Sequence, residues 1–277
     1  MVKMSDIKQI VVKRLEGLTR HGYVKLTNSG NSAIFLAFYI AKKNGKKTIL
    51  IPDQGGWLTY KTFPEILGLN IVEVKTDYGI IDLADLKRKA DKNSALIIAS
   101  IAGYVAEQSL EEISKICKQK DCLLIEDASG AIGHKVLCNG NYSDIIVGSF
   151  GKWKPVNLCY GGFISTNNKD FLNIDPELFI MFRFHEVFYG QLLKKLDKAE
   201  ERRRFFYSVC NKIKSDLKGF DMVHKEGKGL NVVVKFKNKS EKEKLIKYCK
   251  ENNYEYTICP RYIRVLDDAV SIEVKRL

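Results

Sequence analysis

The chain has 277 residues, 45% of them hydrophobic, which suits one large domain or a large one with a small one and excludes a disordered chain. Its formal charge of +13 favours anionic partners, but the densest charged runs, 200–204 and 237–244, mix both signs, so an anionic small molecule is expected rather than nucleic acid or a membrane. Seven scattered cysteines and four dispersed histidines argue against a disulfide framework and a metal site, and without a signal peptide or an apolar run of roughly 18 residues a soluble, cytoplasmic protein is expected.

The amino terminus enters an amphipathic helix pattern. From residue 23 onward, short β-rich runs alternate with helical patterns. Strands are predicted at 23–27, 47–52, 70–75, 94–101, 122–126 and 144–149, and helices at 30–43, 58–67, 82–91 and 109–120. Near-continuous apolar strands separated by helices indicate a mostly parallel sheet covered on both faces. A return strand at 161–166 follows too closely to be parallel. Residues 176–218 read as charged helix, with Leu192, Leu193, Leu196 and Ala199 at helical spacing. Beyond Gly219 come a strand (230–236), a helix (240–252) and three strands (254–258, 261–266 and 270–275). The expected division is therefore a large α/β domain over 1–175, then a connecting helix and a small α+β domain over 176–277, with no internal repeat.

Three stretches carry chemistry. Asn28-Ser29-Gly30-Asn31-Ser32-Ala33 joins the first strand to an apolar helix, and such a turn offers backbone N–H groups and hydroxyls to a phosphate. Plain helix capping uses the same residues. It is neither a dinucleotide fingerprint nor a P-loop. Glu126 and Asp127 end a buried strand, where open α/β sheets bind ligands, although an Asp there can also cap the next turn. In Gly148-Ser149-Phe150-Gly151-Lys152-Trp153-Lys154, two lysines leave a strand end; one in a cleft can act as a nucleophile toward carbonyls, whereas a loop lysine is ordinarily only a surface charge. Phosphate cup, strand-end acid and lysine, in that order, are what a pyridoxal phosphate enzyme requires.

These stretches resemble the DegT/StrS-type aminotransferases, fold-type-I pyridoxal phosphate enzymes that chiefly aminate nucleotide-linked keto sugars. Residues 28–33 resemble the family's Ser-Ser-Gly-Thr-Ala-Ala phosphate turn. Glu126-Asp127-Ala128-Ser129-Gly130-Ala131-Ile132-Gly133 resembles its Glu-Asp-Ala-Ala-Gln-Ala-His-Gly. Ser149-Phe150 followed by Lys154 and then Gly161-Gly162 resembles its Ser-Phe-x-x-x-Lys, and Arg183-Phe184-His185-Glu186-Val187 its Arg-Met-Ser-Glu-Ile. The resemblance implies a Schiff-base role for Lys154, with Lys152 as the rival, and a ring-nitrogen role for Asp127. It further implies cofactor contacts from Ser29, Gly30, Asn31, Ser32, Trp57, Ser129, Ser149 and Arg183, the last from the neighbouring subunit of a homodimer. Three positions depart from the pattern: Gly130 stands for Gln, Met181 for Asn, and Trp57 fits the ring-partner position only with a one-residue insertion.

The implied reaction is a ping-pong transamination from an amino acid, with glutamate the natural donor, to a keto acceptor that the positive charge suits to a diphosphate-linked sugar. Two other readings stand beside it: a cofactor-dependent lyase or amino-acid transaminase, and a degenerate relative serving as a binding or regulatory subunit.

Overall fold

In the computed structural model, which describes residues 4–277, the chain opens with helix α1 (Met4–Thr19) and strand β1 (Tyr23–Thr27), then α2 (Gly30–Lys43), β2 (Thr48–Pro52), α3 (Thr59–Ile66), β3 (Asn70–Val74), α4 (Leu83–Lys89) and β4 (Ser94–Ala99). It continues with α5 (Leu110–Gln119), β5 (Leu123–Asp127), β6 (Ile145–Ser149) and β7 (Gly162–Thr166). These seven strands form one sheet in the order β1-β7-β6-β5-β4-β2-β3. All neighbours are parallel except β7, which runs antiparallel to both β1 and β6. The predicted return strand is thus present, beside the strand it follows in sequence.

Burial on both faces accounts for the apolar strands. Every residue of β5 is buried, even Glu126 and Asp127. On one face α2 and α3 cover Ile49, Ile51, Ile97 and Ile125; on the other α4 and α5 cover Leu50, Leu96, Ile98 and Leu124. The period-2 alternation of side chains along a strand sends the odd and even members to opposite cores.

Past β7 the chain turns through α6 (Pro176–Met181) into α7 (Tyr189–Asp197) and α8 (Ala199–Asp216). A three-stranded antiparallel sheet comes next, β8 (Val232–Lys235), β9 (Tyr256–Ile258) and β10 (Ala269–Ile272) in the order β8-β10-β9, with α9 (Lys239–Glu251) between the first two strands in sequence. Leu245 and Cys249 of α9 pack with Phe206 and Cys210 of α8 in one core.

The strand predicted at 261–266 is not formed. Pro260 removes a ladder donor at its start. The segment closes into a turn instead, Arg264 N–H donating to Arg261 carbonyl (2.9 Å), and docks on the end of β2, where Gly55 N–H donates to Tyr262 carbonyl (2.7 Å) and Tyr262 hydroxyl to Pro52 carbonyl (3.1 Å). The last predicted strand also ends early, at Ile272, before the 3-10 turn Val274–Arg276.

No helix among the described residues is long and apolar enough to cross a membrane.

Candidate active site

The parallel strands all point their carboxyl ends at one edge, and the segments leaving those ends converge there: Ser29 and Gly30 after β1, Trp57 after β2, Tyr104 after β4, Ser129 after β5 and Lys154 after β6. Gly30, Trp57, Tyr104, Ser129 and Lys154, together with Tyr60 and Asp127, line a single cavity. Crevices at strand carboxyl ends are where open α/β sheets bind ligands.

Its floor begins at the α2 amino terminus. Ser29 caps the helix, its Oγ accepting from Ser32 N–H (3.0 Å) and lying 2.8 Å from Ser32 Oγ, while Ser32 Oγ donates to Asn28 Oδ1 (2.5 Å). Ser29 and Ser32 therefore hold the turn rather than lining the cavity; Gly30 and Asn31, whose N–H groups an α-helix leaves without intrahelical partners, do line it. The turn lies hard against β6. A Cβ on Gly30 would sit 2.5 Å from Ser149 Cβ, so only glycine lets the helix start come this close. Ser149 in turn is tied through its N–H to Ser129 Oγ (2.9 Å).

Across the cavity, Asp127 accepts from Tyr60 hydroxyl (2.8 Å) and from Ser129 N–H (3.0 Å). Burial, followed by the Asp127 carboxylate, pushes the Tyr60 phenol well above its ordinary range, which keeps it a donor. Glu126 points to the opposite face, where Ser100 hydroxyl (2.6 Å), Cys138 N–H (2.7 Å) and Ser143 hydroxyl (2.8 Å) bond it; burial raises its carboxyl. Of the acidic pair, only Asp127 faces the cavity.

Lys154 enters from the loop after β6. Its Nζ hydrogen-bonds Tyr104 hydroxyl and lies 5.4 Å from the Trp57 ring centroid. Trp57 Nε1 donates to Asn31 Oδ1 (2.8 Å), which ties the indole to the helix start. Lys152 is exposed, with its Nζ 5.1 Å from the Trp153 ring, and is not among the lining residues. The cavity interior is about 60 Å³, and Lys154 and its partner Tyr104 both line it.

Arg183 is not brought to this cavity. Its backbone bridges to Thr27, but it lines a separate depression with Lys8, Lys25 and His185. Tyr60 and Tyr104 are the residues that sequence reasoning missed. Tyr60 had a signal, since it stands three residues after Trp57, at the start of the helix predicted over 58–67. Tyr104 had only its place after a strand's carboxyl end.

The residues suit a phosphorylated pyridine: glycine where a methyl would fill the helix-start cradle, hydroxyls and N–H groups around it, a carboxylate opposite, and an amine between.

Fold and cavity together define a fold-type-I α/β protein with its site at the strand carboxyl ends. Residues 11–184 match the DegT/DnrJ/EryC1/StrS aminotransferase family, and the chain belongs to that family; residues 201–277 match the MJ1341 family C-terminal domain. A UDP-4-amino-4,6-dideoxy-N-acetyl-beta-L-altrosamine transaminase of Campylobacter jejuni subsp. jejuni serotype O:23/36 (strain 81-176) is 30% identical over 152 residues, 53% of this chain and 40% of that protein. The match thus spans well under half the relative's length. Among solved structures, 3-amino-5-hydroxybenzoic acid synthase superposes with a TM-score of 0.77 at 14% identity, covering 98% of this chain and 85% of the other. Helicobacter pylori PseC, an aminotransferase involved in the biosynthesis of pseudoaminic acid, gives 0.76 at 16% identity, covering 99% and 86%.

Proposed function

We propose that this chain is a pyridoxal phosphate-dependent aminotransferase that moves an amino group from an amino acid such as glutamate to a nucleotide-linked keto sugar. The observation that carries the reading is one cavity lined by the Asp127 carboxylate, the Lys154 amine and the Gly30–Asn31 helix start. When bound, the cofactor supplies an electron sink for bond cleavage at the amino carbon. The N–H groups of Gly30 and Asn31, with Ser149, would hold the phosphate, and Trp57 would flank the ring. Asp127 would keep the ring nitrogen protonated, its own position held by Tyr60 and Ser129. Lys154 Nζ takes up and returns the proton at the reacting carbon. A sugar nucleotide fits the charge of +13 and the name of the Campylobacter relative.

A cytoplasmic homodimer completes the reading. Ile180, Met181 and Val187 are exposed beside Arg183, at 57%, 69% and 63%, an apolar surface that a second copy would cover while bringing its Arg183 to the neighbouring site.

The test is spectroscopic. Purified protein mixed with pyridoxal phosphate should develop a visible absorption band, borohydride should fix the label on Lys154, and glutamate should bleach the band in unreduced enzyme. Label recovered on Lys152 defeats the Lys154 assignment, and a protein that stays colourless defeats the reading and favours a binding or regulatory subunit. A band that no amino acid bleaches argues for other chemistry.

A further inference from the structure

Position 130 directly follows the Asp127–Ser129 turn, and any side chain there would meet the Tyr104 ring. A methyl group on Gly130 would lie 3.2 Å from Tyr104 Cε1, 3.4 Å from its Cδ1 and 3.4 Å from Leu230 Cδ1. Tyr104 is held in this place from several directions. Its backbone adopts φ +67°, unusual for a tyrosine, and its carbonyl accepts from both Leu230 N–H (2.8 Å) and Asn231 N–H (2.9 Å). Lys275 Nζ lies 4.7 Å and the Arg264 guanidinium 5.4 Å from the ring centroid, both contributed by the carboxyl-terminal part of the chain. At the far end of the ring, the hydroxyl bonds Lys154 Nζ.

We propose that Tyr104 is the positioning residue for the Lys154 amine, and that position 130 is glycine in order to admit its ring. The inference rests on Lys154 being the cofactor-bearing lysine. A lysine carries its amine on a flexible four-carbon stem, and productive attack needs that amine in one place. A phenol suits this task because its oxygen accepts from an ammonium and its O–H donates to a neutral amine, so one group serves both protonation states of Nζ. The amine can then gain or lose a proton without leaving its partner. The charged groups facing the ring, Lys154 at the hydroxyl and Lys275 and Arg264 near the ring, are all cationic; Glu273, bonded to Arg264 (2.7 and 2.8 Å) and within 3.3 Å of Lys275 Nζ, balances part of that charge. Burial, with Arg264 next and Lys154 among the lesser causes, lowers Lys275 to about 7, consistent with this crowding of positive charge around the phenol.

Two variants of the full chain test this. Tyr104→Phe keeps the ring and removes the hydroxyl; Gly130→Ala keeps the hydroxyl and crowds the ring by a few tenths of an ångström. Each is mixed with pyridoxal phosphate in a stopped-flow spectrometer, and the rate at which the visible band appears is followed with the pH midpoint of that band. Tyr104→Phe should slow the rate about tenfold or more, the effect of losing a hydrogen bond to a charged group. It should also move the pH midpoint while leaving the thermal unfolding midpoint unchanged. Gly130→Ala should shift rate and pH midpoint in the same directions by less, and it carries the test alone if Tyr104→Phe does not fold. A Tyr104→Phe protein with wild-type rate and wild-type pH midpoint overturns the inference, as does a Gly130→Ala protein with both unchanged. A wild-type protein that forms no band overturns the proposed function instead.

Discussion

At the level of single residues, the most concentrated electrostatic feature is Glu273. Burial pushes its carboxyl up, but hydrogen bonds from Arg264 and the charges of Lys275 and Arg276 outweigh that and hold it at about 2, against an ordinary 4.5. A carboxyl lowered on folding contributes stability that is complete above 4.5 and is lost as pH falls through about 2. Glu273→Gln leaves three cations clustered without their counter-charge and should cost about 3–5 kcal/mol near neutral pH. In denaturant titrations of the two proteins, the gap should narrow as pH falls from 4.5 toward 2; a gap constant across that window would mean that Glu273 acts by packing alone. Lys275, lowered from 10.5 to about 7, has a slope of the same sign in a higher window: the folded chain binds fewer protons between those values, so its titration also makes stability rise with pH there.

Among the elements, the start of α2 decides whether the site can form. Its cap is built from its own sequence, Ser29 and Ser32 bonding each other and Asn28. Its approach to β6 depends on the bare Cα of Gly30. Gly30→Ala should therefore cost about 1–3 kcal/mol through overpacking. Because the helix start must move off Ser149, the variant should also bind pyridoxal phosphate more weakly, which equilibrium absorbance titration reads. Unchanged affinity in a destabilised variant would detach the helix start from phosphate binding. Elements were legible in proportion to how local their causes are. The strands of the large sheet show as apolar runs because both faces are covered, and their observed limits fall within two residues of expectation. The segment 261–266 misled because Tyr262, Ile263, Val265 and Leu266 look like strand material. Pro260 and the docking of Tyr262 against Pro52 and Gly55 pull it into a turn, and the second of these is a tertiary contact.

For the molecule as a whole, the segments flanking the small carboxyl-terminal sheet bear on the cavity through Tyr104, which meets Leu230, Asn231, Arg264 and Lys275. The proposed dimer belongs to this scale too. Met181→Glu puts a charge into the exposed apolar patch, and sedimentation should show the variant shifted to monomer at concentrations where the wild type is dimeric. Equal sedimentation of the two would remove Met181 from any interface. Arg183 lies in a depression apart from Lys154 of its own chain, so a contribution to the cavity would have to come from a second copy.

Read alone, the residues determined the alternating architecture and the order of helix-start cup, strand-end acid and loop lysine. Periodicity and short motifs are properties of neighbouring residues and survive in one dimension. Tertiary structure decided which lysine faces the cavity, that Glu126 turns away from it while Asp127 turns in, and that Tyr60 and Tyr104 complete it. It also gathered Arg264, Glu273 and Lys275 beside Tyr104. The contacts of Tyr60 with Asp127 and of Tyr104 with Lys154 and Lys275 join residues 50 to 171 positions apart, which only the folded chain brings within reach.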